Sequence, residues 1–314
     1  MSVALPLGGS VLLPALLLAV TWAAVTADAV AAGRAAGRPV PWTVAAALPG
    51  REALRLLVGQ RRRGVASDEL LRGVGGAVLP IAALLAAVVL PLGLRPVADL
   101  GAGIVWFNAM EVFAWAAVWL VGWGANSTLS LIGGYRFVAQ GLAWELPHMF
   151  ALITAAVGAQ SLRVTDVVAA QQGLWFVVIM PVAFVAFLLS VAAMAFWGPF
   201  GAPVGRDIAG GAAAELGGVD RLVFMTGRWL LLVAAAAMAV PLFLGGGHGP
   251  WLPAWAWVLV KTLAVLAALV ALRHRIPTIR MERWTEFSLV VLTPATIAQA
   301  LVVTLVALGE GGLR

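Results

Sequence analysis

Five ionisable side chains stand within or at the edge of stretches otherwise free of charge: Asp28, Glu111, Glu145, Arg228 and Lys261. Placing such a group inside an apolar span costs at least about 2.5–3.5 kcal/mol on insertion scales, so each calls for a partner or a task. Two readings are open. Mixed signs allow internal ion pairs, Glu111 or Glu145 with Lys261 or Arg228, which would fix helix packing and carry nothing. The other reading is a proton path, with Glu111 and Lys261 near the middle of their spans, where snorkelling reaches least. His148 follows Glu145 by three residues, which sets both on one helical face. An imidazole beside a carboxylate either rests as a satisfied hydrogen-bonding group or relays protons. Glu145, Glu111, Lys261 and Arg228 are therefore the candidates for chemistry.

Other chemistries are excluded by what the chain lacks. It has no cysteine, hence no disulfide, thiolate metal site, Fe–S ligation or cysteine nucleophile. Its three histidines, His148, His248 and His274, are far apart, so a haem or zinc site built by this chain alone is not expected. Gly245–Gly249 reads as a turn and not a phosphate loop, because no strand precedes it and no GK[ST] follows. No nucleotide fingerprint, metalloprotease helix or nucleophile elbow occurs. Electron chemistry belongs to a partner or a bound cofactor.

The elements that must position these groups follow from composition. Of 314 residues 62% are hydrophobic and 11% charged, against about a quarter charged in soluble domains. A bilayer core about 30 Å thick needs roughly 20 apolar residues per helix. Eight such windows occur: Leu5–Ala27, Gly73–Leu94, Leu100–Val121, Leu142–Leu162, Leu174–Trp197, Leu222–Gly245, Trp251–Leu272 and Phe287–Leu308. The expected fold is all-α, one polytopic membrane domain over residues 1–314. The connections after windows one, three, five and seven hold fifteen of the twenty basic residues. By the positive-inside rule these odd-numbered loops are cytoplasmic and both termini lie outside. The net charge of +6 then points to anionic lipid and not to nucleic acid. The first window has no basic segment before it and reads as a retained span rather than a signal peptide. Within loop 33–72, Trp42, Val44, Leu48, Leu54, Leu56 and Leu57 interleave with Arg51, Glu52 and Arg55. This suits an interfacial amphipathic helix or a solvated loop.

One segment carries a resemblance. Gly122–Glu145 reads GWGANSTLSLIGGYRFVAQGLAWE. It resembles the loop between the third and fourth spans of the H-subunit family of NADH-quinone oxidoreductase, respiratory complex I, in which the pattern runs close to G-W-A-S-N-S-K-Y-S-L-L-G-A-L-R-A-x-A-Q-x-x-S-Y-E. Gly122, Trp123, Asn126, Ser127, Ser130, Leu131, Gly133, Arg136, Ala139, Gln140 and Glu145 match without a gap. Weaker agreement covers Ala27–Arg34, Leu48–Leu57, Lys261-Thr262 and Arg273–Glu282. The departure lies at Pro199–Ile208. There the family's acidic P-F-D-L-P-E-A-E keeps its prolines and phenylalanine, but Gly201, Val204 and Arg206 stand where carboxylates are expected. Glu215 matches the later E-Y-S-G. The chain is identified as a divergent member.

The resemblance implies eight spans with both termini outside and a place in the inner, or plasma, membrane. It implies a subunit that anchors the peripheral electron-transfer arm, contributes to a quinone chamber and links that chamber to proton translocation beside antiporter-like membrane subunits. Quinone would be the substrate, with no metal or Fe–S cluster in this chain. Asp28, Arg34, Phe200, Glu215 and Arg136 would belong to the chamber. Gly124–Gly141, Pro199–Arg221 and Arg273–Glu286 would dock the arm, with Arg136 and Arg280 at matched positions. Two other readings stay open: the equivalent anchor of a membrane-bound [NiFe] hydrogenase or formate hydrogenlyase, and a stand-alone ion transporter.

Overall fold

The computed structural model describes residues 8–92, 95–204 and 211–311. All regular secondary structure among the described residues is helical, without strands. The first helix, α1 (Gly8–Ala35), is followed by α2 (Trp42–Val58), α3 (Glu69–Ala87), α4 (Gly103–Gly124) and α5 (Thr128–Ala159). Three pieces come next, α6 (Val164–Ala170), α7 (Phe176–Ile179) and α8 (Pro181–Met194). After them run α9 (Gly218–Phe243), α10 (Ala254–Arg275), α11 (Met281–Phe287) and α12 (Thr293–Gly311), with a π-helical segment, Ser288–Leu292, fusing the last two into one rod. Among the described residues, seven helices are long and apolar enough to cross a membrane, and α8 is a shorter apolar helix in the place of the fifth expected span. The chain is a multi-pass membrane protein.

The amphipathic reading of the first loop describes α2. Leu56 and Ala45 are buried while Trp42, Leu54 and Leu57 are exposed. The helix is held to α1 by the Trp22 indole, which donates to the Ala46 carbonyl at 3.0 Å. On its polar side the Arg55 guanidinium bonds Glu52 and holds that carboxyl below the ordinary carboxylate range.

Two expected boundaries are corrected. The fifth span is not one helix over Leu174–Trp197. It breaks at Met180-Pro181 because proline has no N–H to continue the ladder and its ring clashes with the preceding turn. The gap is bridged from α12, where Gln299 accepts from the Ala183 amide at 2.6 Å and donates to the Ile179 carbonyl at 3.4 Å. At its other end the chain turns through Phe196 in the left-handed region, φ 42°. The fourth span is also longer than expected. The supposed loop before it is helix, so α5 runs for 32 residues, about 48 Å at 1.5 Å per residue.

The core lies around α9, buried on every side from Leu230 to Phe243. Its run of four alanines, Ala234–Ala237, lets α3 and α8 approach closely, the usual device where lipid gives helices no hydrophobic reason to associate. The arginines of α2, of the segment joining α2 to α3 and of the ends of α9 and α10 gather at one end of the bundle, called here the basic end.

Candidate functional site

The segment with the family pattern builds the core of the site, and the fold explains its residues. Asn126 turns the chain between α4 and α5 at φ 46°, a left-handed conformation that asparagine tolerates well. Gly133 faces the chain at Gly211-Ala212, where a Cβ would collide with the Ala212 nitrogen. One turn further, Arg136 reaches a large open cavity, and Gln140 donates to the Phe200 carbonyl at 3.3 Å. Positions 136, 140, 144 and 148 follow at intervals of four, so α5 runs a single face from the cavity into the bundle.

The cavity holds about 1530 Å³ at the basic end. Arg136, Arg221, Arg228, Arg273 and Arg280 line it together with Glu282, Phe196, Met225, Gly198, Gly201 and Ala202. Arg228, on α9, donates to the carbonyls of Ala195 (3.0 Å) and Phe196 (2.6 Å) and lies over the rings of Phe196 and Trp197. It thereby satisfies the end of α8, where the backbone leaves helical geometry and its last carbonyls have no intrahelical donor. Arg273 is bound to Asp28 of α1 at 2.8 Å, and His274 approaches the other oxygen of Asp28 at 2.9 Å.

About 18 Å further along α5 at 1.5 Å per residue lies the second part of the site. Glu111 of α4 and His148 of α5 meet at 2.8 Å, Oε2 to Nε2, both with 0% exposure. The imidazole is stacked on Phe187 (centroids 5.0 Å) and edged by Trp144 at 6.0 Å. Glu145 lies on the same face as His148, and Asn108, three residues before Glu111, donates to its Oε1 at 3.4 Å. Oε1 of Glu111, Nδ1 of His148 and Oε2 of Glu145 are buried with no hydrogen-bond partner among the described residues. A carboxylate this close to an imidazole can share or pass on a proton, and each group keeps a further polar atom through which the proton can arrive or leave. Ser288, in the π segment, donates to the Ala143 carbonyl beside this cluster, an example of a π-bulge next to buried polar groups.

The structure divides the candidates. Glu111, Glu145 and His148 come together. The expected pairs of these carboxylates with Lys261 or Arg228 do not exist among the described residues. Lys261 is the eighth of the 22 residues of α10, and its ammonium meets the carbonyls of Leu244, Gly246 and His248. Arg136 and Arg228 line the cavity, and Asp28 joins it through Arg273. Three others do not line it. Arg34 is exposed at the end of α1, two residues beyond the lining Ala32. Phe200 is buried, its ring 4.4 Å from that of Trp284. Glu215 gives its carbonyl to Arg72 at 3.4 Å and its carboxylate lies 3.5 Å from the Ser127 hydroxyl. Of the altered acidic stretch, Gly201 and Val204 line the cavity, whereas Arg206 falls outside the described residues.

Asn108 and Arg72 escape a reading of the sequence, and Gln140 enters it only as a motif match with no task assigned. Arg72 looks like a plain loop charge, yet it is 5% exposed and bonds the Arg62 and Glu215 carbonyls and the Ser67 hydroxyl, with Asp220 at 3.7 Å. It ties the segment before α3 to the start of α9. A basic residue one turn inside a helix whose N-cap is Asp68 is the available signal.

A family model described as NADH dehydrogenase matches residues 9–304. Curated relatives include the first of the NADH-quinone oxidoreductase H subunits of Geobacter metallireducens, 34% identical over 81% of this chain and 80% of its own length. The second H subunit of Geobacter sulfurreducens is 32% identical over the same shares. The H subunit of Geobacillus kaustophilus is 31% identical over 67% of this chain and 64% of its own. With a match that runs through α1 to α12 and relatives aligned over four-fifths of both chains, this protein belongs to the NADH dehydrogenase family, among the H-type membrane subunits of NADH-quinone oxidoreductase.

Proposed function

We propose that this chain, as the H-type subunit of an NADH-quinone oxidoreductase, receives the quinone headgroup in the arginine-lined cavity and links that cavity to proton movement. The observation that carries this reading is α5 itself. One face of one helix bears Arg136 at the cavity and His148 against Glu111, and Glu145 is its near neighbour. The chain has no cysteine to hold an Fe–S cluster, so NADH oxidation and Fe–S transfer fall to partner subunits docked on the basic end. That end faces the cytoplasm by the positive-inside rule, and both termini face outward.

In mechanism, the cavity's arginines favour a ligand that becomes more negative on reduction, since cations fixed around a low-dielectric site stabilise developing charge without reorganising. Arg228 and Arg273 are both anchored among these, one on backbone carbonyls and one on Asp28. A change of charge in the cavity alters the potential along α5, which shifts the proton between Glu111 and His148 and the occupancy of Glu145. Glu145 therefore acts as the relay residue, exchanging with Glu111 through the imidazole. The loss of carboxylates at Gly201 and Val204 leaves this chamber more basic than the family pattern, with Glu282 as its one lining acid among the described residues. That favours an anionic quinone form and acidic contacts from the docked arm.

A photoreactive quinone applied to the assembled complex under turnover tests this. Labelled peptides from Phe196–Ala202 or Arg273–Glu282 are expected. Labelling confined to other subunits would refute the chamber.

A further inference from the structure

The sequence has nineteen arginines and a single lysine, Lys261. Every other fixed cation in this protein is a guanidinium, so the one ammonium marks a place where a guanidinium does not serve. Its surroundings explain why. Nζ donates to three carbonyls of one turn, Leu244 (2.6 Å), Gly246 (2.9 Å) and His248 (2.7 Å). The face of Trp175 lies 4.0 Å away and that of Trp257 5.5 Å away. An ammonium carries three donors in a compact tetrahedral array and no acceptor. The three convergent carbonyls match those donors one for one, and the aromatic face lies beside the charge. The planar fork of arginine cannot turn its donors toward three oxygens on one side.

The turn is shaped to receive a cation. It follows the C-terminus of α9, where four carbonyls lack helical donors and carry the negative end of the helix dipole. Gly245 and Gly246 adopt φ 68° and 54°, which directs successive carbonyls inward. On its far side Gln171 accepts from the Gly245 amide at 2.9 Å and donates to the Pro241 carbonyl at 2.7 Å. The carbonyl cup is thus held open by groups other than Lys261 itself.

We propose that the Leu244–His248 turn is a binding site for a monovalent cation of ammonium size, which Lys261 fills as a tethered ligand, so that Lys261 is a fixed structural cation and no carrier of protons. All three N–H groups are engaged, and loss of one proton would strand a carbonyl. The site does not depend on the reaction proposed above, and its test reads stability and amine reactivity, not turnover.

The experiment uses the assembled protein in detergent. Lys261→Ala in sodium buffer is expected to inactivate thermally about tenfold faster or more, the equivalent of one lost charge-assisted hydrogen bond. Ammonium or methylammonium chloride should restore most of that loss, and tetramethylammonium chloride none. Lys261→Arg should be impaired and unresponsive to either ion. A plain snorkelling lysine makes the opposite claims: Arg substitutes fully, and small ammonium ions do nothing. Either result overturns the proposal. If Lys261→Ala does not assemble, wild-type protein decides the matter. Because the sequence holds one lysine, acylation of Lys261 by an N-hydroxysuccinimide ester is read on its own peptide by mass spectrometry, apart from the reactive α-amine of the chain. The caged amine should resist the reagent in native protein and react after denaturation; rapid labelling of native protein would refute the cage.

Discussion

Replacing His148 by phenylalanine separates what the buried pair does for the fold from what it does for protons. The imidazole sits among Phe107, Phe187 and Trp144 with no exposure, so a benzyl ring of similar size fits the slot without a cavity. What is lost is the polar neighbour at Oε2 of Glu111. Removing one partner of a fully buried pair costs about 3–5 kcal/mol, because the remaining charge must be neutralised or left unpaired. At about 2 °C per kcal/mol for a chain of this size, the midpoint of thermal inactivation should fall by about 6–10 °C. Glu111→Leu should cost a comparable amount by stranding His148. The double variant removes both polar groups and keeps the volume, a change that is often neutral for buried pairs. It should return to within about 1 kcal/mol of wild type, which against single losses of about 3 kcal/mol or more each is a coupling of at least about 5 kcal/mol, above the roughly 0.5–3 kcal/mol usual for residues in contact. The assay is residual assembled complex on native gels after graded heating, with four proteins measured side by side. Additive losses in the double variant would refute the pairing, whatever became of activity.

Other outcomes follow from particular contacts. Gly133→Ala drives a methyl group into the Ala212 nitrogen; this overpacking should cost about 1–3 kcal/mol and lower the yield of assembled complex, while Gly309→Ala, where a Cβ meets nothing, should have no effect. Arg136→Ala should weaken retention of the peripheral arm in detergent and raise the apparent KM for quinone, checked by size exclusion and by titration with a soluble quinone. Arg72→Met keeps the buried volume but leaves two carbonyls without donors, and limited proteolysis should cut the segment 59–67 faster than in wild type. Below the lowered pKa of Glu52 its ion pair with Arg55 is lost as the carboxyl takes up a proton, while above the ordinary carboxylate range it is fully present; both side chains are more than half exposed, so solvent screens the pair and acidification should leave α2 binding to neutral vesicles almost unchanged.

The spans are legible in the sequence because a bilayer demands long apolar runs, and the i,i+3 spacing alone sets Glu145 and His148 on one face. The partner of His148 is not legible. Glu111 lies 37 residues earlier, and nothing local says which carboxylate crosses to which helix; the mixed signs of the buried charges suggest salt bridges to Lys261 and Arg228 instead. Those cations bond backbone carbonyls, which have no sequence signature. The break in the fifth span is visible in Met180-Pro181, but an unbroken hydropathy run outweighs it. The extra four turns of α5 are hidden by Gly133, Gly134 and Gly141, which look like loop residues but pack closely, Gly133 on the Gly211-Ala212 segment and the other two on α4. Phe200 and Glu215 match family positions, yet they pack beneath and beside the cavity rather than lining it, since motif agreement locates a residue in the chain and not the direction of its side chain.

Whether α5 joins the arginine-lined cavity to proton movement is most directly tested at Glu145. Glu145→Gln keeps the size of the side chain and an oxygen that can accept from Asn108, so assembly should be preserved on native gels. Proton translocation per electron, measured in reconstituted vesicles as acidification against NADH oxidation, should fall in the variant, or turnover should drop at unchanged assembly. Wild-type stoichiometry at wild-type rate in Glu145→Gln would remove this residue, and the path drawn along α5, from the mechanism.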